Sequence, residues 1–289
     1  MIPKELIKKV KQLEISTRKI IESTVSGKYQ SAFKGKGINF SDLREYQIGD
    51  DIRNINWKAS ARSNTTYTNL YEEERELTVL LMIDISQSGR FGSKVKTKQE
   101  LAAEIAAILG FAAIKNSDKV GLLLFSDQIE AFIPPKKGKD HMLRILRDIY
   151  YTKPIGEKTN INEALTFVMN MITKKSIIFL ISDFIDQNYE HQLKIVAKKH
   201  DLIPILTEDP LELELPKKGI IAFEDFETKE IIYINSSSDT IQKAYKNICY
   251  ANQLEKHRLF KSCNCDFLSL KTNEDYTLNL IQFFQRRLK

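Results

Sequence analysis

The chain has 289 residues, of which 42% are hydrophobic and 28% are charged. This composition excludes an intrinsically disordered protein and allows a sizeable core in one large or two small domains. Its 44 basic and 38 acidic residues give a net charge of +6, but lysine-rich stretches alternate with acidic runs, a pattern that argues against nucleic-acid binding. No apolar stretch is long enough to cross a bilayer, no hydrophobic signal segment stands at the start, and the three cysteines fit a reducing compartment. We therefore expect a cytoplasmic protein that does not span the membrane.

The first quarter of the chain is predicted to be an extension of the main domain. Residues 1–24 carry apolar side chains at near-helical spacing, which predicts an amphipathic helix. Residues 25–76 are polar, contain glycine and show few clean periodicities. We therefore expect residues 1–76 to form an N-terminal helix and a polar segment that pack on the core.

The remainder, residues 77–289, predicts an α/β domain. Up to residue 207, short runs rich in Ile, Leu and Val alternate with helical patterns. Such alternation is typical of a doubly wound, mostly parallel sheet. The predicted strands of this part are Leu77–Ile83, Val120–Ser126, Ile129–Ile133, Ser176–Ile181 and Leu202–Leu206. Further along, we expect a hairpin insertion near 217–234, a long helix, a short strand and a closing helix.

The most informative motif follows the first of these strands. Leu77–Ile83 is apolar enough to be buried on both faces, and it runs into Asp84-x-Ser86-x-Ser88. Ligands of open α/β sheets bind just beyond the carboxyl ends of such strands. One carboxylate and two hydroxyls suit a small hard cation such as Mg²⁺. Asp and Ser also form ordinary turns after strands, so the motif alone allows both interpretations.

Two later residues favour the metal interpretation. Thr159 lies just before a predicted helix, where it or Asn160 can cap the first turn. Asp183 follows the strand Ser176–Ile181. If the parallel strands end at a common edge of the sheet, these side chains meet the first motif. The candidate metal site consists of Asp84, Ser86, Ser88, Thr159 and Asp183.

This set resembles the metal-ion-dependent adhesion site of von Willebrand factor A domains, in which Asp-x-Ser-x-Ser is followed by a Thr and then by an Asp after the fourth strand. The resemblance implies that Ser86 and Ser88 ligate Mg²⁺ or Mn²⁺ directly, with Thr159 bound directly or through water. It implies that Asp84 and Asp183 mainly hold coordinated waters. The cation would then accept an acidic side chain of a partner as its last ligand. Many such domains carry Thr-Asp-Gly at the last position, where this chain has a bulkier phenylalanine after the aspartate.

The polar segment carries a second distinctive pattern. Residues Phe33–Phe40, Asp42–Tyr46 and Gly49–Arg62 resemble the signature of the MoxR-associated family of von Willebrand factor A-like proteins, long catalogued as a domain of unknown function. Glu212–Pro216 resembles the segment that follows the core of that family. The resemblance implies an interaction protein, not an enzyme. It would work with a MoxR-type AAA+ ATPase in chaperone-like assembly or maturation of an unknown client protein.

Physical reasoning leaves two roles open for the charged residues of this signature. Arginine and aspartate side chains can form bidentate ion pairs that pin the segment to the sheet, with the sole tryptophan as a hydrophobic anchor. Alternatively, the segment is a partner-docking surface beside the metal site. The residues concerned are Arg44, Asp50, Asp51, Arg53, Trp57 and Arg62.

Two other functions compete with the interaction module. A metal-dependent hydrolase, such as a haloacid-type phosphatase, also places an Asp at the end of its first parallel strand. It needs a second Asp two residues later, where Ser86 stands here. A phosphate-binding loop requires Gly-x4-Gly-Lys-[Ser/Thr], which neither Gly89–Lys94 nor Gly35–Gly37 matches. The hydrolase remains the alternative, and ATP use is assigned to the partner.

Overall fold

The structure of the chain, a computed structural model, describes residues 39–47, 49–62, 65–72, 76–92, 96–224 and 231–287. The predicted N-terminal helix lies outside the described residues. The described strands are β1 (Asn39–Glu45), β2 (Tyr67–Glu72), β3 (Thr78–Asp84), β4 (Lys119–Phe125), β5 (Ile129–Lys136), β6 (Ile177–Ser182), β7 (Asp201–Glu208), β8 (Ile220–Glu224), β9 (Ile231–Asn235) and β10 (Leu268–Lys271). The described α-helices are α1 (Trp57–Ser60), α2 (Lys98–Lys115), α3 (Lys139–Tyr151), α4 (Ile161–Met171), α5 (Glu190–Lys199), α6 (Pro210–Leu213), α7 (Asp239–Ser262) and α8 (Tyr276–Arg287).

A six-stranded sheet with the order β10-β7-β6-β3-β4-β5 forms the centre of the molecule. Neighbouring strands are parallel except for β5, which runs antiparallel to β4. The predicted doubly wound, mostly parallel sheet is therefore confirmed. Each predicted strand corresponds to an observed one whose ends differ by a few residues. For example, β3 extends to Asp84 because Asp84 still pairs with Phe125 of β4.

Helices cover both faces of the sheet because its central strands are apolar on both sides. Along β3, Val79, Leu81 and Ile83 pack into one core cluster with α2, α3 and α8. Leu80 and Met82 point the other way and pack into a second cluster with α4 and α5. These five side chains are fully buried. The uninterrupted apolar run that predicted this strand is thus the signature of its two packed faces.

The strand order reverses between β3 and β6. From β3 the chain passes through α2 to β4 on one side, whereas from β6 it passes through α5 to β7 on the other side. Because α2 and α5 pack in different core clusters on opposite faces, a crevice is left between the carboxyl ends of β3 and β6. Open α/β sheets bind ligands at such a switch point. Asp84 ends β3 and Asp183 directly follows β6, so both predicted carboxylates lie at this crevice.

Part of the polar segment forms an antiparallel ribbon of β1 and β2, which the sequence does not predict. The register of the ribbon shifts between Phe40 and Asp42, which breaks the alternation that would have identified a strand. Near the end of β1, the guanidinium of Arg44 lies 2.6 Å from the carboxylate of Asp50. One of the expected ion pairs of the signature is therefore present, and it lies within the segment itself.

The expectation that Trp57 anchors this segment is wrong. Trp57 begins the single turn of α1 and is 70% exposed. None of the residues of that helix is buried. The helix therefore does not pack the indole against the rest of the protein. Asp51 accepts a hydrogen bond from the backbone amide of Arg53 at 2.9 Å and so caps a short 3₁₀ turn. The side chains of Arg53 and Arg62 are exposed.

The C-terminal part contains the antiparallel pair β8–β9, in the region where the hairpin is expected. It is followed by the long helix α7, the edge strand β10 and the closing helix α8. Among the described residues, no helix combines the length and the apolar character that crossing a membrane requires.

His200, at the C-terminal end of α5, gives the fold a measurable pH dependence. Its ring is buried, and within the described part of the chain neither ring nitrogen has a hydrogen-bond partner. Burial lowers the pKa of His200 to about 4. Because the unfolded chain binds a proton near pH 6.5 and the folded chain does not, stability is complete above that pH and falls as the pH decreases towards 4.

On acidification from pH 7 to pH 4.5, we expect His200→Leu to lose about 2–3 kcal/mol less of its free energy of unfolding than the wild type. The reason is that leucine binds no proton in the unfolded chain or in the folded one. Urea unfolding of both proteins between pH 7 and pH 4.5 measures the difference. Comparing the two proteins isolates His200, since the raised pKa of Asp84 acts in the opposite direction and is common to both. Parallel pH profiles for the two proteins would contradict the prediction.

Candidate metal centre

Asp84 is held at the end of β3 by hydrogen bonds to both of its carboxylate oxygens. Oδ1 accepts from the backbone amide of Ser86 at 2.9 Å. Oδ2 accepts from the hydroxyl of Ser182 at 2.7 Å and from that of Thr159 at 3.4 Å. The side chain is only 7% exposed. One carboxylate therefore connects the three chain segments that carry the predicted site residues.

The two serines of the motif lie directly after β3. Their hydroxyl oxygens, Ser86 Oγ and Ser88 Oγ, are 3.0 Å apart, and hydrogen bonding with Ser88 helps to lower the pKa of Asp183. The backbone amide of Gln87 donates to the carbonyl of Glu157 at 3.4 Å. This contact joins the serine loop to the loop before α4, so the hydroxyls of both loops face the same crevice.

Thr159 reaches the site because the residue after it fixes the loop. The backbone amide of Asn160 donates to the carbonyl of Ser126, at the end of β4, at 2.9 Å. Asn160, and not Thr159, caps α4: its side-chain oxygen accepts from the amide of Glu163 at 2.9 Å. The hydroxyl of Thr159 is therefore left to face Asp84.

Asp183 lies on a tight turn after β6. Its Oδ1 accepts from the backbone amide of Ile185 at 3.2 Å, and its Oδ2 accepts from the ammonium of Lys98 at 2.6 Å. Phe184, the bulky residue that follows, has φ of 55°, in the left-handed region that such residues rarely adopt. Its ring is buried with its centroid 4.9 Å from that of Phe260. Packing of the ring thus offsets the backbone strain that keeps Asp183 at the crevice.

Lys98 and Glu212 belong to this site, although the sequence patterns do not place either of them there. Lys98 is the first residue of α2 and is 2% exposed. Its ammonium lies 2.6 Å from a carboxylate oxygen of Asp183 and 2.6 Å from one of Glu212. The signal that could have found Lys98 is its position three residues before Leu101, on the buried stripe of an apolar helix. A lysine on such a stripe needs a buried partner.

The two aspartates respond differently to burial. Burial, together with the nearby charge of Asp183, raises the pKa of Asp84 to about 6. Burial alone would also raise the pKa of Asp183, but the charge of Lys98 and the hydrogen bonds from Lys98, Ser88 and the amide of Ile185 together bring that pKa below its ordinary value. Both carboxylates are therefore mainly ionised at neutral pH, and Asp183 is the one that Lys98 stabilises as an anion.

Two lysine ammonium groups surround Asp183. Burial opposes the charged form of Lys98, but the charges of Asp183 and Glu212 overcome this effect and raise its pKa. Lys256, on α7, donates to the backbone carbonyl oxygen of Asp183 at 2.6 Å. Burial lowers the pKa of Lys256, although three neighbouring carboxylates oppose this. The positive charge in direct contact with the Asp183 carboxylate is therefore that of Lys98.

The donor set fits a hard divalent cation that keeps several waters. Hydroxyl and carboxylate oxygens are ligands that Mg²⁺ prefers. Within the part of the chain that the structure describes, no group of three or more His, Cys, Asp or Glu side chains could hold a metal ion, so a cation here would depend on hydroxyls and water. A cavity of about 10 Å³ is lined by Asp84, Ser88 and Asp183, among other residues. Such a cavity is close to the size that one water needs.

The family described as "Protein of unknown function DUF58" matches residues 42–255. This chain belongs to that family. The matched region includes every residue of the candidate metal site as well as Lys98 and Glu212. DUF58 membership therefore covers the site and most of the sheet that carries it.

The similar proteins are uncharacterized relatives and a solved structure that shares the fold. The uncharacterized protein Rv1480 of Mycobacterium tuberculosis is 25% identical over 281 residues, which cover 96% of this chain and 88% of that protein. The uncharacterized protein YeaD of Bacillus subtilis is 28% identical over 109 residues, 38% of this chain and 25% of YeaD. The crystal structure of an aerotolerance-related membrane protein from Bacteroides fragilis has a TM-score of 0.50 at 15% identity, and the match covers 73% of this DUF58 chain and 98% of that chain. This likeness shows a shared fold.

Proposed function

We propose that this DUF58 protein is an interaction module in which a divalent cation, Mg²⁺ or Mn²⁺, captures an acidic side chain of a partner protein. The observation that carries the proposal is the convergence of Asp84, the loop of Ser86 and Ser88, Thr159 and Asp183 at the switch point of the sheet. These residues come from three separate segments of the chain. Convergence of distant oxygen donors favours a ligand site over three unrelated turns.

The chemistry of the residues suits capture and not bond cleavage. Ser86 and Ser88 would ligate the cation, and Thr159 would do so directly or through water. Asp84 and Asp183 would hold coordinated waters in place. When bound, the cation would supply a Lewis-acidic position for the carboxylate of a partner. With few direct negative ligands, the cation would keep enough positive charge to attract that carboxylate.

The alternative, a metal-dependent hydrolase, finds less support. Both oxygens of Asp84 accept hydrogen bonds from protein groups, which disfavours their use as a nucleophile. The position that a phosphatase needs for its second aspartate holds Ser86. We therefore assign no residue of the site a catalytic role.

We propose in addition that the protein acts in the cytoplasm with a MoxR-type AAA+ ATPase, in chaperone-like assembly or maturation of client proteins. The segment Gly49–Arg62 is proposed as the surface that docks the ATPase. Its support is the exposure of Trp57, at 70%, and of Ile52, at 67%, beside the ion pair of Arg44 and Asp50. Exposed apolar side chains among charged ones are typical of docking surfaces.

A pull-down with the tagged full chain from a lysate of its source organism tests this proposal. We expect a MoxR-type AAA+ ATPase to be recovered by the wild type and to be lost with Trp57→Ala. We expect a client to be recovered in Mg²⁺ and lost on chelation or with Asp84→Ala. The control is Asp118→Asn, which alters a buried aspartate that bonds the amide of Leu77 at the other end of the sheet. Absence of any AAA+ ATPase under both conditions would contradict the partnership, and chelator-resistant capture of the client would contradict the metal-dependent mechanism.

A further inference from the structure

Lys98 is an unusual neighbour for a cation site because it brings a positive charge into it. Its side chain is among the largest fully buried ones of the described residues. The ammonium bonds Oδ2 of Asp183, while Oδ1 of the same carboxylate accepts from the amide of Ile185. Both oxygens of Asp183 are therefore engaged by protein donors, and one donor carries a full charge.

This ammonium performs the electrostatic task that a bound cation would perform. Asp84 and Asp183 are buried carboxylates in one crevice, and the charge of Asp183 disfavours ionisation of Asp84. Lys98 compensates the charge of Asp183 at a contact of 2.6 Å. A divalent cation entering the same crevice would meet a like charge and a carboxylate that is already paired.

Glu212 is a second ion-pair partner of the Lys98 ammonium. Its carboxylate oxygen Oε1 lies 2.6 Å from the ammonium of Lys98, and its side chain is 29% exposed. Its other oxygen, Oε2, accepts from the backbone amide of Asp209 at 3.0 Å, in the capping box of α6. Glu212 is therefore held in place by its own helix. It can keep its contact with Lys98 when Asp183 interacts with a divalent cation instead.

We propose that Lys98 is an internal counter-ion that competes with the divalent cation for Asp183, and that Glu212, which already contacts the ammonium, retains it when the cation binds. Lys98 and Glu212 would thus set the cation affinity of the site without being ligands. This inference rests on the proposed metal site. In the absence of a cation, Lys98 stays paired with Asp183, and a divalent cation must displace the ammonium in order to bind.

The test is calorimetric titration of Mn²⁺ into the full chain and into three variants. Lys98→Met keeps the length of the side chain without its charge, and we expect Mn²⁺ to bind on the order of 10-fold more tightly. Glu212→Gln keeps an acceptor for the amide of Asp209 but removes the charge that receives Lys98, and we expect binding to weaken about fivefold. Lys96→Met breaks a Lys–Glu contact of the same 2.6 Å length near the start of α2, to Glu104, and it should leave the affinity unchanged.

Thermal unfolding with and without Mn²⁺ gives a second measurement in case Lys98→Met folds poorly. That variant should melt at a lower temperature than the wild type without metal, and Mn²⁺ should raise its melting temperature more than that of the wild type. Mn²⁺ binding to the wild type with equal or weaker binding to Lys98→Met would overturn the role of Lys98 and leave the metal site standing. Lack of Mn²⁺ binding to either protein would overturn both.

Discussion

Replacing Asp84 with alanine is expected to abolish Mg²⁺ and Mn²⁺ binding, with a loss in affinity of about 100-fold or more. Asp84 carries a negative charge into the crevice, and its two oxygens position Ser86, Thr159 and Ser182. Alanine removes the charge and all three bonds, so the hydroxyls that would ligate the cation lose their common support. Titration calorimetry with Mn²⁺ measures the loss.

Two controls separate this effect from unfolding. Asp84→Asn keeps a side chain of the same shape with one acceptor oxygen, and it should bind the cation weakly while melting close to the wild type. Asp118→Asn alters an aspartate that is equally buried but lies at the amino-terminal edge of β4, and it should bind as the wild type does. Equal Mn²⁺ affinity of Asp84→Ala and the wild type would contradict the assignment of the cation site.

Asp209→Ala is expected to lower the free energy of unfolding by about 2–4 kcal/mol, the sum of a lost helix cap and of a buried hydroxyl left unpaired. Asp209 is fully buried. Its Oδ1 accepts from the amide of Leu211 at 3.0 Å and its Oδ2 from the hydroxyl of Thr272 at 2.6 Å. The substitution therefore releases both α6 and the turn after β10. Urea unfolding monitored by circular dichroism measures the change.

The same substitution has a consequence for the proposed cation site. Alanine keeps the backbone amide that bonds Glu212, but it removes the side chain that caps the first turn of α6. We therefore expect Asp209→Ala to weaken the contact of Glu212 with Lys98 as well. Thr272→Val removes only the hydroxyl contact and should cost about 1–2 kcal/mol, a part of the full effect. A loss below about 0.5 kcal/mol for Asp209→Ala, the range of ordinary surface substitutions, would contradict the structural role assigned to it.

The sheet and the first-strand motif could be predicted because their signals are local. A strand buried on both faces, such as Leu77–Ile83, needs an uninterrupted apolar run, and helices need apolar residues at helical spacing. The ends of parallel strands lie at one edge of a sheet, so Asp84 and Asp183 could be placed together without knowing any contact. The resemblance to a family of unknown function agrees with the DUF58 match.

What the sequence does not reveal depends on contacts between distant residues. Lys98 meets partners 85 and 114 positions away, Asp183 and Glu212, and no local pattern encodes such pairs. For Trp57 the sequence predicts a contact that is absent. An apolar residue is buried only where its helix or strand packs on the core, and no residue of α1 is buried. The β1–β2 ribbon was missed because its irregular register hides the alternation of a strand.

The most direct test of the proposed cation site is an anomalous difference map from crystals of the full chain soaked in Mn²⁺. We predict a peak between the hydroxyl oxygens of Ser86 and Ser88 and the carboxylates of Asp84 and Asp183, with the ammonium of Lys98 turned towards Glu212. A map without a peak in this crevice at saturating Mn²⁺, with Lys98 still bonded to Asp183, would contradict the proposed cation site.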